Sequence, residues 1–329
     1  NRTATPKSPY RYRINGYSIG GPAYIPNKFN TEKDKLFFFF SQEYVGMRRD
    51  YGTRFINMPT ELERRGDFSR SFDVNSVLIP VNDPLTGRQF PNNAIPQSRL
   101  TRLGQSILGF YPLPNYTDPD PRNLYRWNYR SAYSGAYPKR QDMLRIDSTP
   151  RPSFQVYWRY IKDKDEQDTP YGMWVNGGIN YYLTPARFGQ PGKGQVVHMT
   201  KMFSPTLINE LIFGKSRNNL YFDPVDKTLV DRAKMGNPPQ WFPDTQPSAN
   251  YVPNVQFGGQ PANPVNSGLG NVPYQNWNDL YSFVNNVSKV WRSHSLKAGV
   301  YIERTGKFQV GGGNYRGAFN FSRDTNNPF

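Results

Sequence analysis

Strand-like stretches along this chain are separated in turn by very short and very long connections, and that rhythm limits its fold more than any other feature. Extended strands place residues i, i+2 and i+4 on one face. Phe154, Val156, Trp158 and Tyr160 form such a set against Gln155, Tyr157 and Arg159. Thr149-Pro150-Arg151-Pro152-Ser153 turns Gln141–Ser148 into this segment, Ser204-Pro205-Thr206 turns Gly194–Phe203 into Leu207–Arg217, and Arg292-Ser293-His294 joins Asp279–Trp291 to Ser295–Phe308. Tyr10–Gly21 and Lys35–Val45 alternate upstream, and Tyr315–Ser322 does so at the end. Between the hairpins run polar, Asn/Pro/Gly-rich stretches of about thirty and about sixty residues, with about 95 after Val45, far beyond ordinary loop lengths. Gln309–Asn314, with Gly311-Gly312-Gly313, is short where a long connection is due.

Short connections at one end and long ones at the other are the pattern of an up-and-down barrel in an outer membrane, with periplasmic turns and extracellular loops. The segments bracket the roughly 9–11 residues that cross a bilayer at a tilt. A soluble sandwich would space its strands evenly. The expected fold is therefore all-β: a partial antiparallel transmembrane β-barrel of about nine strands, with long extracellular loops containing short helices. Barrels of single bacterial chains close with even numbers, and an open sheet leaves edges that lipid cannot satisfy. Together with a start at Asn1 and an end at Asn326-Asn327-Pro328-Phe329 that reads as a cut, this leads us to expect a fragment. Residues 1–329 form one partial barrel in this reading, and 46–140 a large extracellular loop within it.

Composition agrees by exclusion. Mean hydropathy is −0.77, and the apolar run Leu36–Phe40 is far shorter than the roughly 18 residues of a spanning helix. Barrel strands need no such run, because only every second side chain meets lipid. Absence of cysteine removes thiolate sites and disulfides, and His198 and His294 lack partners at metal-ligand spacing. No nucleophile elbow, HExxH or paired carboxylates point to an enzyme; Asp163, Asp165 and Glu166 read as a solvated loop tip, and no cofactor is expected. The net charge of +16 favours polyanions. Its cations are scattered without a nucleic-acid motif, so lipopolysaccharide and anionic lipid are the expected partners and nucleic acid is not.

Face assignment is clearest in the last hairpin. Leu296, Ala298, Val300 and Ile302 suit lipid, whereas Lys297, Gly299, Tyr301 and Glu303 suit a hydrated lumen. A cation facing mid-bilayer costs roughly 2–4 kcal/mol, so a one-residue slip is strongly disfavoured. Lys297, Glu303, Arg159 and Glu210 are the candidate lumen-facing charges; the plainer role for each is solvation or pairing with a neighbouring strand. Within the long loop, Thr60-Glu61-Leu62-Glu63 predicts a capping box, Ser98–Phe110 an amphipathic helix, and Asp83-Pro84-Leu85-Thr86-Gly87 a turn.

Ile14-Asn15-Gly16-Tyr17-Ser18-Ile19-Gly20-Gly21-Pro22, followed by Phe37–Phe40, resembles the start of the barrel in Oar-like TonB-dependent receptors. Arg65-Gly66-Asp67-Phe68-Ser69, Asp83–Gly87 and Tyr111-Pro112-Leu113-Pro114-Asn115 are similar to that family's first large loop. Phe203-Ser204-Pro205-Thr206-Leu207-Ile208-Asn209-Glu210 and His294–Gly299 resemble its recurrent hairpins, and the pieces follow in order over nearly the whole chain. The resemblance implies a Gram-negative outer-membrane receptor of about 22 strands. It further implies a regulatory-like N-terminal domain and a plug, both outside this sequence. The plug would contact the TonB complex, and the ligand would be bulky, an oligosaccharide or a peptide. The competing reading is a secreted carbohydrate-binding β protein, with Tyr116, Tyr125, Trp127 and Tyr129 stacking on sugar rings.

Overall fold

A computed structural model describes residues 11–170, 180–246, 248–259, 261–269, 272–310 and 315–321. Tyr10, Gly311-Gly312-Gly313, Ser322 and Asn326–Phe329, which entered the expectations above, lie outside the described residues. The main sheet contains β1 (Arg11–Pro22), β2 (Leu36–Ile56), β3 (Tyr129–Ala136), β4 (Lys139–Arg151), β5 (Phe154–Thr169), β7 (Ala186–Gly189), β8 (Gly192–Ser204), β9 (Leu207–Pro224), β12 (Tyr274–Trp291) and β13 (His294–Val310). A small second sheet holds β6 (Tyr181–Tyr182), β10 (Asn254–Phe257), β11 (Asn266–Gly268) and β14 (Ala318–Phe321).

All pairings in the main sheet are antiparallel, in the order β1-β2-β4-β5-β7-β9-β12-β13, with β3 beside β2 and β8 between β5 and β9. β3 and β4 continue one another along β2, and β7 and β8 do so between β5 and β9. Each break falls at a proline, Pro138 or Pro191, which has no N–H for the ladder. The result is an up-and-down meander eight strands wide. Within the described sheet, β1 and β13 each have a neighbour on one side alone.

Several sequence expectations are corrected. Tyr315–Ser322 is not a ninth wall strand: its residues 318–321 pair in parallel with β10 in the small sheet. The odd strand count, and the argument for a fragment built on it, falls with that strand. The long loop is shorter than 46–140, because β2 runs to Ile56 around a bulge between Asp50 and Thr53 and returns as β3. Asp163, Asp165 and Glu166 sit inside β5, not at a loop tip; Lys139 Nζ lies 2.9 Å from Asp165. β13 continues through Gln309 to Val310, so these belong to a strand rather than a connection. The outer ends of β2, β5 and β9 are held by the short strands β3 and β7, and that of β13 by β12.

The core is not under the sheet. Buried apolar side chains, among them Ile56, Met58, Tyr111, Phe188, Val230 and Val255, cluster where the long loops meet the strand ends. The loops fold into a packed layer of their own. Its first helix has the expected capping box: Thr60 Oγ1 accepts from the Glu63 amide at 3.3 Å while the Thr60 amide donates to Glu63 Oε2 at 2.8 Å. The second, Arg102–Phe110, starts at an N-cap on Thr101 and buries Ile107. Gly87, at φ +67°, closes the Asp83 turn by donating to the Asp83 carbonyl at 2.7 Å.

Candidate functional site: the two faces of the wall

Residues paired across an antiparallel sheet leave it on the same face. Following the register from Ile302 gives Phe283, Phe213, Val197, Trp158, Ile146 and Phe38, an unbroken apolar row across the wall. The row on its tight-turn side runs Val300, Asn285, Leu211, Met199 and Val156, with Asn285 Oδ1 accepting from Asn209 at 3.1 Å. Among the described residues no second layer packs on these side chains, and Ile302 is 58% exposed, Phe213 46% and Ile146 37%. An uncovered apolar surface of this extent requires an apolar neighbour. Cations bound the rows at both ends, Lys201 toward the tight turns and Lys193 toward the loops of the same strand. Eight steps of extended chain separate them, roughly 26 Å along the strand.

Level with the apolar rows, the opposite face carries charges. Glu303, Ser282, Gly214, Val196, Arg159 and Arg145 form one row. Turning that face to hydrocarbon would immerse Glu303 and two arginines, at roughly 2–4 kcal/mol for each arginine at mid-bilayer. The register therefore orients the sheet, and the assignment made on the last hairpin extends across the wall. All four sequence candidates fall on the polar face. Glu210 follows by pairing opposite Asn286, which pairs with Gly299, and Lys297 by parity within β13.

They are not brought together. Arg159 and Glu303 share a row but stand four strands apart, about 19 Å at ordinary strand spacing. Arg159 is exposed beside Arg145, whose guanidinium holds Asp147 (Nη2 to Oδ1, 2.6 Å) and lies 4.1 Å from the Tyr157 ring. Glu303 accepts from Tyr301 and, at 3.3 Å, from Thr305 on its own strand. Glu210 lies 3.9 Å from His198 Nε2. Lys297 is exposed opposite Ser288. Neighbour pairing thus accounts for Glu303. The polar face is also thin: a Cβ on Gly214 would strike the Ser282 hydroxyl, and one on Gly20 would lie 2.9 Å from the Phe38 carbonyl.

The aromatic residues singled out for sugar stacking do not form one platform. Tyr116 and Trp127 pack on Phe55 at 5.1 and 5.4 Å, Tyr125 on Phe72 at 5.0 Å, and Tyr129 turns toward Tyr181 at 5.9 Å. Tyr116 and Trp127 both donate to Asp118 Oδ2, and the Asp120 amide and the indole hold this carboxyl below the usual carboxylate range. Loop packing has already used these rings.

The alternation of residues missed how the outer layer is fixed. Arg64, Arg232 and Arg316 are anchors within it: Arg232 is 5% exposed and donates to the carbonyls of Ala249, Pro238, Pro239 and Arg316. Arg64 reaches the Tyr111 and Pro112 carbonyls at 2.9 and 2.7 Å. Buried guanidinium groups are tolerated where several acceptors meet them. Arg64, beside the capping box, was the one a sequence signal could have found.

An antiparallel up-and-down sheet, apolar and bare on one face, polar on the other and capped by packed loops, defines a wall of the outer-membrane β-barrel class. A family model described as an outer membrane beta barrel domain matches residues 1–328, and the chain belongs to that family. Its place is the outer membrane of a Gram-negative cell. Among solved structures, the outer membrane transporter YddB from Escherichia coli is similar at 7% identity and a TM-score of 0.43. The match covers 92% of this chain and 30% of that one. No curated protein matches the chain. Among the described residues, no helix is long and apolar enough to cross a membrane, and no cluster of metal-ligating side chains occurs.

Proposed function

We propose that the chain is part of the wall and outer loops of an Oar-like TonB-dependent receptor that receives, and with a plug takes up, a bulky oligosaccharide or peptide. The observation that carries this reading is the pairing of a charged, glycine-thinned inner face with a loop layer that has its own core. A wall that only sealed the membrane would need neither. Short turns face the periplasm and the loop layer faces outward, as the unequal connections require. Closure into a barrel of about 22 strands is part of the proposal, because unpaired strand edges are unsatisfied in lipid. So are contacts with lipopolysaccharide and, through the plug, with TonB. The chain has no assigned catalytic role in this reading.

Co-purification of the full-length receptor with the periplasmic domain of TonB tests the energy-coupling part. Retention that disappears when the plug's leading segment is deleted is expected. Equal retention with and without that segment would overturn TonB dependence. The secreted reading is not carried forward, because the family belongs to the outer membrane.

A further inference from the structure

Just beyond the apolar rows, on the same face and toward the loop layer, the wall turns basic. Tyr160, Gln195, Lys215, Tyr281 and Arg304 form the first row above Ile302, and Asp142, Lys162, Lys193, Arg217 and Asp279 the next. Lys162, Lys193, Lys215, Arg217 and Arg304 are all exposed. Asp279 neutralises Arg217, which it holds through both carboxylate oxygens. No ion pair among the described residues involves Lys162, Lys193, Lys215 or Arg304, and Lys215 Nζ rests 5.1 Å from the Tyr281 ring. Between the two rows lies a depression of about 250 Å³, lined by Tyr160, Lys193, Gln195, Lys215 and Arg217.

Asp142 closes the row beyond Lys162 as Asp279 does beyond Arg217, but between them Lys162 faces Lys193, and like charges directly opposite one another on a sheet repel. Such a pair is stable beside a multivalent anion, and lysine serves phosphate well as a point charge. The ligand class follows from what borders the cluster. Val197, Phe213 and Trp158 run directly below it, so an anion seated there can have acyl chains lying along the wall.

We propose that Lys162, Lys193 and Lys215 bind the phosphate of a phosphorylated glycolipid of the lipid A type, with its chains on the apolar rows and Tyr160 and Gln195 as neutral donors. The site lies on the outside of the wall, not in the ligand path. It rests on the membrane-face reading above and gives the lipopolysaccharide contact proposed there its residues and its headgroup chemistry.

The test uses full-length receptor extracted from outer membranes in mild detergent, with bound lipid A measured by native mass spectrometry. The Lys162→Gln/Lys193→Gln/Lys215→Gln variant is expected to retain at least tenfold less lipid A than wild type. A Lys201→Gln/Lys289→Gln variant at the tight-turn end should retain it fully. Re-addition of lipid A stripped of phosphate should restore no binding, and millimolar inorganic phosphate alone should not occupy the site. Equal retention by wild type and the triple variant would overturn the proposal. So would equal binding of dephosphorylated lipid A, or occupancy by inorganic phosphate alone, which would mark a free-anion site. Single Lys193→Gln, expected to lose several-fold, guards against misassembly of the triple variant. Failure of the membrane-face reading would show separately, as aqueous labelling of cysteines placed at Phe213 and Ile302.

Discussion

Arg232 donates from Nη2 to the backbone carbonyl of Arg316 at 2.7 Å, so one buried cation holds the peptide unit of another. Arg316 in turn donates to Asn254 Oδ1 at 3.1 Å and to the Val272 carbonyl. The two arginines tie the segment after β13 to the loop between β9 and β12.

Arg316→Met should therefore loosen the loop layer and leave the wall intact. It strands the acceptors of Asn254 and Val272, a loss of about 2–4 kcal/mol. Limited proteolysis with mass mapping should show new cleavage between 225 and 273, with β5, β8 and β9 as protected from amide exchange as in wild type. Cleavage unchanged from wild type would show that Arg316 is not an anchor.

The outer layer should weaken at alkaline pH. Burial raises the Tyr111 phenol, with the Ser267 hydroxyl at 2.7 Å only partly offsetting it, and burial raises Tyr181 too. Unfolded tyrosines ionise near 10.0. The folded state then holds protons that the unfolded state has lost, so stability falls as pH rises from about 10. Arg316, pushed down by burial to about 10, acts in the opposite sense above that pH, but two phenols oppose one guanidinium. Near-ultraviolet circular dichroism between pH 9 and 12 should show the loss, and Tyr111→Phe should shift its onset upward. An unchanged onset would exclude Tyr111 as a source.

Single cysteines at Leu296, Val300 and Ile302 should resist aqueous maleimide in intact outer membranes, while cysteines at Lys297 and Glu303 react. Register makes the two sets alternate strictly along β13. Equal reactivity in the two sets would reverse the face assignment.

Gly20→Val should unseat β1 from β2. Its Cβ would sit 2.9 Å from the Phe38 carbonyl and 3.1 Å from the Phe39 ring, and backbone cannot step aside as a flexible side chain does. A loss of about 1–3 kcal/mol is expected. Gly21→Ala is the control, because a Cβ there has nothing within 4 Å. Heat-modified gel mobility of the full-length protein should drop in temperature for the first variant alone.

The eight long strands were legible because period-two alternation survives wherever one face meets lipid and the other water. Thr60 to Glu63 was legible because a capping box is local. Where the chain leaves the bilayer that contrast ends. The outer half of β2, all of β3 and the acidic end of β5 therefore mix aromatic and charged residues without period. Parallel pairing of β10 with β14 joins segments far apart in sequence, and no neighbouring residue announces it. Alternation in Tyr315–Ser322 was real but marked a different sheet. Arg232 looks like any loop arginine until the carbonyls around it are known.

The interval between Lys193 and Lys201 has a consequence for sorting. With strands inclined by roughly 40°, its height is about 20 Å, and Lys215 and Arg304 one row below Lys193 narrow the apolar band further, so the wall matches a thin bilayer better than a thick one. In a thicker membrane either the lipid compresses or a lysine is dragged below the headgroups. The outer membrane is thinner than average, and hydrophobic mismatch alone would favour this wall there over the inner membrane.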